Sequence, residues 1–260
     1  MLEGARVVMW KELRELKKIK YAYYSTILMP IFFTSLMVSI QYLINFQAAS
    51  SPPEDLGPWK DTIPKGMTPS QGIVYVFAHQ WLFFLPLMPA AVTTLIASYS
   101  VIGEKQQKTL EPLLSTPLGE IDLLLGKALA APALVGTYLA TIVYTAAVVY
   151  LTYPILGFAV FPNAYWASIA FLMTPAVGLL GTVVCLVISS KATDVRSAQQ
   201  IGALAVMPAI LFLFLQMSGF VGFNYVLVAG LSIALFLLDG WLFLVAKEVF
   251  ERENILTRWK

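Results

Sequence analysis

The sequence predicts an all-α integral membrane protein with six membrane-spanning helices. Of its 260 residues, 58% are hydrophobic and only 12% are charged, against roughly 25% charged residues in an ordinary soluble domain. The apolar residues form long continuous runs, and a helix needs about 20 of them to cross a bilayer. A spanning helix satisfies its own backbone hydrogen bonds in lipid, whereas a β-barrel needs short segments of alternating polarity. A typical soluble enzyme, a disordered chain and a disulfide scaffold are therefore excluded.

Residues 1–20 predict an amphipathic helix that lies along the membrane interface. Lys and Arg occupy most of one side of this helix, where they would lie near lipid phosphates. Apolar residues recur at spacings of three or four along the other side: Met9, Leu13, Leu16, Ile19 and Tyr23. Anchoring of the first span alone and an added contact with a partner are both open. The segment lacks the apolar run of a signal peptide, so we expect the first span to act as an uncleaved insertion signal.

The remaining chain, 21–260, predicts a six-span transmembrane domain. The spans lie at about 21–46, 73–101, 121–151, 165–189, 198–217 and 224–246, followed by a tail at 247–260. Pro86 and Pro89 should bend the second span. The third span should break or tilt near Pro132.

Basic residues predict the orientation of these spans. Of the 17 Lys and Arg residues, only Lys60 and Lys65 fall in connections on the side opposite the N-terminus. The positive-inside rule then places both termini in the cytoplasm, and an even number of spans agrees. We expect a multi-pass protein of a prokaryotic cell membrane. The net charge of +2 is too small to indicate binding of nucleic acid.

The polar connection between the second and third spans, 103–127, is the most informative part of the sequence. Leu110, Leu113 and Leu114 are spaced to form one apolar face of a short helix, and Pro117 should end that helix. A short amphipathic element between two spans suits docking to a partner below the membrane. It equally suits a helix that lies on lipid.

This connection resembles the signature of permease subunits of ATP-binding-cassette (ABC) transporters of the type-2 exporter class. The pattern is an acidic–basic cluster, Thr-Leu-Glu, Leu-Leu, a proline, and Gly-Lys at the third span. The matching residues are Gly103, Glu104, Lys105, Lys108, Thr109, Leu110, Glu111, Leu113, Leu114, Pro117, Glu120, Gly126 and Lys127. The six-span layout, the interfacial helix and the tail at 250–256 are also similar. Pro112 implies a kink, or a later helix start, inside the motif.

The resemblance implies one half of a transport pathway. Two such chains, identical or homologous, form the pathway as a dimer in the bilayer, and each sits on a separate ATP-binding subunit. A coupling helix at 103–117 would contact that subunit. The expected contact residues are Glu104, Lys105, Lys108, Thr109, Leu110, Glu111, Leu113, Leu114 and Pro117. The chain has no GxxxxGK[ST] phosphate loop, so it is not expected to be an enzyme, and ATP and Mg are expected on the partner.

Polar residues in the spans supply weaker candidates. Similar exporters line the pathway with the second and fifth spans, so the candidate lining residues are His79, Thr93, Thr94, Gln216 and Met217. For His79, a structural role is the favoured interpretation. Asp239, the only acid deep in a span, would contact substrate or an ion, or be a hydrogen-bonded structural acid; we favour the structural role, because the sixth span should be peripheral.

Two other functions are weighed: an ATP-independent channel or secondary transporter, and an intramembrane enzyme. Secondary transporters often have internal repeats and several buried charges, and no convincing repeat relates 1–130 to 131–260. With one His and one Cys, neither a catalytic dyad nor a metal site is expected. The cargo is not specified by the sequence, although scarce buried charge favours a hydrophobic or amphipathic one.

Overall fold

The computed structural model describes residues 2–16, 20–50, 57–82, 84–109, 119–129, 133–192, 194–204, 206–219 and 222–249. Among these residues all regular structure is helical, which agrees with the predicted class. The helices are α1 (Leu2–Leu16), α2 (Lys20–Ser50), a 3-10 turn (Gly57–Thr62), α3 (Pro69–Trp81), α4 (Phe84–Gln106), α5 (Glu120–Leu129), α6 (Ala133–Leu156), α7 (Ala164–Ala167), a π-helical stretch (Ser168–Met173), α8 (Thr174–Lys191), α9 (Val195–Leu204), α10 (Met207–Met217) and α11 (Tyr225–Val249).

Five helical stretches among the described residues are long and apolar enough to cross a membrane. They are Leu28–Ser50, Pro69–Gln106, Tyr138–Leu156, Ala164–Ser190 and Tyr225–Val249, and each overlaps one of the predicted spans. The third begins later than its predicted range of 121–151, because the first part of that range forms the separate helix α5. The chain is therefore a membrane protein with several apolar helices.

The predicted fifth span, 198–217, differs from the other five. It is divided between α9 and α10, which have 10 and 11 residues, and each is too short to cross a bilayer alone. Pro208 lies in the first turn of α10, where its missing N–H is tolerated. A sixth crossing therefore stays a prediction.

The second span is interrupted near its prolines. One helix ends at Trp81 and the next begins at Phe84, while Pro89 lies inside α4. The break expected near Pro132 in the third span lies outside the described residues, because the chain between α5 and α6 is not described there.

The centre of the bundle is the contact between α4 and α8, which pack more extensively than any other pair of described helices. Small residues allow this approach: a Cβ atom added to Gly181 would lie only 2.9 Å from Thr94 Cγ2. By contrast α2, α6 and α11 are peripheral, and each exposes large apolar side chains such as Leu43, Ile142 and Leu237. Small residues at the contact between two central helices, with an apolar outer layer around them, are the packing expected in lipid.

The N-terminal helix packs against α5. The helix spans Leu2–Leu16 within the predicted range 1–20, and residues 17–19 of that range are not described. Its inward face is formed by Ala5, Val8 and Glu12, whereas Val7 and Trp10 are exposed. This inward face includes a charged residue, which the predicted apolar stripe did not.

Candidate functional site

Three ionic side chains from distant parts of the sequence meet at one end of the bundle. The Lys127 ammonium lies 2.6 Å from Glu12 Oε1 and 3.0 Å from Glu104 Oε2. All three side chains are buried, with exposed fractions of 0%, 5% and 5%. Lys127 also donates to the Ser100 hydroxyl at 2.7 Å. We call Glu12, Glu104 and Lys127, together with Lys11, the charged cluster.

The fourth member of the charged cluster lies closer to the surface. Lys11 pairs with Glu104 Oε1, and its side chain is one third exposed. The cluster therefore holds two lysines and two glutamates, so its charges balance. Balance matters, because an unpaired charge is strongly disfavoured in a buried position.

The helices that carry the charged cluster are held close together. Glu12 lies on the inward face of α1, Glu104 in the last turn of α4, and Lys127 in the last turn of α5. A Cβ atom added to Gly126 would lie 2.4 Å from Val8 Cβ and 2.8 Å from the Ala5 carbonyl oxygen. Only glycine permits this approach of α5 to α1, and the approach brings Lys127 to Glu12.

Lys105 follows Glu104 in the sequence but binds a different element, the end of α8. Its ammonium donates to the carbonyl oxygens of Ser189 at 2.9 Å and Ala192 at 3.2 Å, and also to that of Ser190. These carbonyls lie at the C-terminal end of α8, where no helical N–H can reach them. A cation also interacts favourably with this end of the helix dipole.

The start of the predicted coupling segment has a defined backbone geometry. Lys108 has a positive φ of 55°, and the Thr109 N–H donates to the Glu104 carbonyl at 3.0 Å. With the bond from Lys108 N–H to the Lys105 carbonyl at 3.1 Å, this is a Schellman ending of α4, with Lys108 in the position that usually holds glycine. The chain therefore leaves α4 in one fixed direction.

The structure separates the nine predicted ATPase contacts into three groups. Glu104 is buried and Lys105 is partly buried, and both bind other parts of this chain; Lys108 and Thr109 are exposed. The other five lie outside the described residues: Leu110, Glu111, Leu113, Leu114 and Pro117. Of the predicted contacts that are described, only Lys108 and Thr109 have exposed side chains.

Sequence reasoning missed Glu12 and Lys11 as partners of the motif. Lys127 was recognised in the motif, but not as a buried residue. Part of the signal was available, because a lysine at the start of an apolar run needs a carboxylate. Eleven of the 15 acidic residues lie on the same side of the membrane in the predicted topology, however, so the sequence did not single out Glu12.

At the other end of the bundle, His79 occupies a neutral, aromatic environment. It is 1% exposed, and its Nδ1 lies 2.9 Å from the Tyr75 carbonyl, which requires that Nδ1 carry the proton. Its Nε2 accepts from the Asn163 amide at 2.9 Å. The rings of Tyr75, Phe161, Tyr165 and Phe223 surround it at centroid distances of 4.2, 5.1, 5.8 and 4.8 Å. We call His79, Asn163 and these rings the aromatic cluster.

The other candidate pathway residues are also turned toward helices of the same chain. The Thr93 hydroxyl donates to the Gly178 carbonyl at 3.0 Å, and Thr94 packs against Gly181. Gln216 is buried and donates to the Tyr165 hydroxyl. The threonine contacts hold α4 against α8, and the glutamine contact holds α10 against α7. The side chain of Met217 lies outside the described residues.

Asp239 lies on the buried face of α11 and is 6% exposed. Neither of its carboxyl oxygens has a hydrogen-bond partner among the described residues. The peripheral position of α11 agrees with expectation, but the hydrogen bonds of a structural acid are not found in the described part of the chain.

Metal ligands do not assemble at either end. Among the described residues no group of three or more His, Cys, Asp or Glu side chains is arranged to hold a metal ion. What the charged end does contain is a set of ionic contacts that ties α1, α4 and α5 together where the motif begins.

Comparison with known proteins identifies the family. A family model described as "ABC-2 family transporter protein" matches residues 6–237, which is most of the chain. A search of curated proteins gives no match.

Proposed function

The chain belongs to the ABC-2 transporter family, and we propose that it is the membrane-spanning subunit of an ATP-driven exporter. Membership of the family makes it a transmembrane permease of an ABC transporter. Such permeases work in general with an ATP-binding partner. What we add is how this chain is joined to that partner, with which second chain it assembles, and how it lies in the membrane.

Coupling to the ATP-binding subunit runs through residues 103–117. The observation that carries this proposal is the charged cluster, which fixes Glu104 at the base of the segment to α1 and α5 at once. A segment that transmits force needs such a base, because a freely hinged loop would move without moving the spans. The exposed side chains of Lys108 and Thr109 begin the contact surface, which continues into residues 110–117.

This proposal changes the role of two predicted contact residues. Glu104 and Lys105 are committed to α1, α5 and α8 by ionic and hydrogen bonds. They therefore act by positioning the segment rather than by touching the ATP-binding subunit. ATP and Mg bind to that subunit, since this sequence has no phosphate loop.

The pathway forms between two permease chains, either two copies or a copy and a homologue. The support is the fifth segment, where α9 and α10 expose apolar side chains, among them Leu204, Leu211 and Phe214. The buried orientation of Thr93 and Gln216 means that the lining would come from these exposed side chains. Lipid would cover α2, α6 and α11.

The charged end faces the cytoplasm of a prokaryotic cell, together with both termini. The distribution of Lys and Arg supports this orientation. The charged cluster then lies on the side where ATP is available, and the aromatic cluster lies toward the outer surface.

Co-purification tests this function. A tagged full-length chain, expressed with the ATPase encoded beside it, should retain that ATPase, and the complex should hydrolyse ATP faster than the ATPase alone. Leu110→Asp combined with Leu114→Asp should abolish both effects, because it places charges on the apolar face of the coupling helix. Phe158→Asp, in an exposed turn at the opposite end, is the matched control and should leave both effects intact. Retention and stimulation in the double variant would show that the coupling assignment is wrong.

A further inference from the structure

Glu104 and Lys105 are neighbours in sequence, yet they bind elements on different sides of α4. Glu104 binds Lys11 of α1 and Lys127 of α5. Lys105 binds carbonyl oxygens at the end of α8. Because consecutive Cα atoms are only about 3.8 Å apart, one dipeptide at the base of the coupling segment is tied both to α1 and α5 and to the end of α8.

The ammonium group of Lys105 has a hydrogen-bond acceptor for each of its N–H groups. An ammonium has three N–H donors, and Lys105 meets three carbonyl oxygens, those of Ser189, Ser190 and Ala192. The acceptors belong to the main chain, so they move only if the end of α8 moves. The contact therefore constrains backbone rather than a flexible side chain.

Beyond these carbonyls, Asp194, the described end of the turn between α8 and α9, is bound to the first turn of α9. The Asp194 carboxylate accepts hydrogen bonds from the backbone N–H and the hydroxyl of Ser197, both at 3.2 Å. The backbone hydrogen bond from Ser197 is the main cause of the lowered pKa of Asp194. A displacement of the turn would accordingly reach the first turn of α9.

Helix α9 in turn lies close against the centre of the bundle. A Cβ atom added to Gly202 would lie 3.3 Å from Cys185 Sγ and 3.6 Å from Thr94 Cγ2. Since α9 is the first half of the predicted fifth span, the turn connects the base of the coupling segment to the helix that we propose faces the pathway.

We infer that Lys105 is a positioning residue that links the coupling segment to α9 through the end of α8. Glu104 carries a displacement of the segment to α1 and α5, and Lys105 carries the same displacement to the fifth span. This inference rests on the proposed function, and it identifies the contact by which ATP-driven motion reaches the pathway. A mechanical link of this kind needs evidence of coupling between the two sites.

Hydrogen exchange on the full complex tests the link. The full-length chain is compared alone and bound to its ATP-binding subunit with a non-hydrolysable ATP analogue, and deuterium uptake is followed at 103–109 and at 194–204. Uptake reports local opening of each segment. In the wild type, binding should change the uptake of both segments.

The Lys105→Met variant removes the three donors and keeps an unbranched side chain that is only one heavy atom shorter. It should retain the change at 103–109 and lose the change at 194–204. Lys105→Arg, which keeps a cation with several donors, should restore the second change. Lys247→Met is the matched control, since Lys247 is an exposed lysine in the last turn of α11, outside the coupling segment, and it should preserve both changes.

The outcomes separate the link from the function on which it rests. If Lys105→Met shows the same change in deuterium uptake at 194–204 as the wild type, the link is wrong. The link is also wrong if Lys105→Arg fails to restore that change. An absence of any change at 103–109 in the wild type would overturn the proposed coupling and the link with it. If Lys105→Met does not accumulate as a folded protein, Lys105→Gln takes its place with the same expectations.

Discussion

The two ends of the bundle bury polar groups in opposite ways. In the charged cluster, Lys127 is held by Glu12 and Glu104, full charges that neutralise one another. In the aromatic cluster, His79 is held by an amide, a carbonyl and four rings, and it stays neutral. A neutral group that loses one hydrogen bond keeps its other contacts, whereas removal of one charge leaves its partners unpaired. The charged end is therefore the more interdependent of the two, as a coupling region must be.

Loss of Lys127 should have the largest effect on stability. Lys127→Met leaves the carboxylates of Glu12 and Glu104 buried, and among the described residues only the partly exposed Lys11 then pairs with either of them. Breaking a buried ion pair from one side destabilises a protein by about 3–5 kcal/mol. The measurement is the thermal unfolding of the purified full-length chain in detergent. Lys108→Met, which changes an exposed lysine, is the control.

A compensating variant checks the cause of that effect. Adding Glu12→Gln and Glu104→Gln to Lys127→Met removes the unpaired charges, so most of the lost stability should return. If the triple variant is as unstable as Lys127→Met alone, the lysine acts through packing and the contrast with the neutral end disappears.

Disturbing the close contact between α1 and α5 should have the next largest effect on stability. Gly126→Ala places a Cβ atom 2.4 Å from Val8 Cβ, so α1 must shift and the distance from Lys127 to Glu12 must lengthen. Overpacking of this kind costs about 1–3 kcal/mol. Thermal unfolding measures it, with Gly240→Ala as the control because nothing lies within 4 Å of a Cβ atom there. Equal stability of the two alanine variants would show that α1 is not held closely.

Most of the fold could be predicted from the sequence, because a membrane span is a continuous run of apolar residues and needs no knowledge of distant contacts. Five predicted spans overlap helical stretches long enough to cross a membrane. The exception, 198–217, is divided before Pro208. An apolar run specifies burial in lipid, but not whether the helix within it is continuous, since proline is tolerated where neighbouring groups satisfy the backbone.

The candidate site was less predictable, because its geometry depends on contacts between distant residues. The motif identified Glu104 and Lys127, but Lys11, which pairs with Glu104, and Glu12, which pairs with Lys127, each lie more than ninety positions away from that partner. Similarly, the prediction of Thr93 and Gln216 as pathway residues rests on their polarity and on the resemblance to exporters that line the pathway with these two spans. Polarity in a span is equally explained by hydrogen bonds to a neighbouring helix, and only packing distinguishes the two.

At the aromatic end, loss of Asn163 should be milder than either change above. Asn163 donates to His79 Nε2, and its Oδ1 accepts from the Trp166 N–H at 2.8 Å as the cap of α7. Loss of a helix cap costs typically about 1 kcal/mol, and neutral partners limit further damage. Asn163→Ala should therefore lower the unfolding temperature by less than Lys127→Met. Asn163→Ser, which keeps a capping oxygen, should recover part of the difference, and a loss as large as that in Lys127→Met would contradict the contrast.

Within the charged cluster, Lys11 should contribute least, although it binds the same Glu104 as Lys127. Its side chain is one third exposed while that of Lys127 is fully buried, so water and salt screen its charge. Exposed ion pairs contribute about 0.2–1 kcal/mol, and Lys11→Met should cost no more than that. The cost should also shrink when unfolding is measured in high salt, whereas the cost of Lys127→Met should persist because buried pairs are screened much less. If Lys11→Met were instead as damaging as Lys127→Met and insensitive to salt, the charge of Glu104 would be balanced mainly at the surface. The link from α4 would then run to α1 rather than to α5.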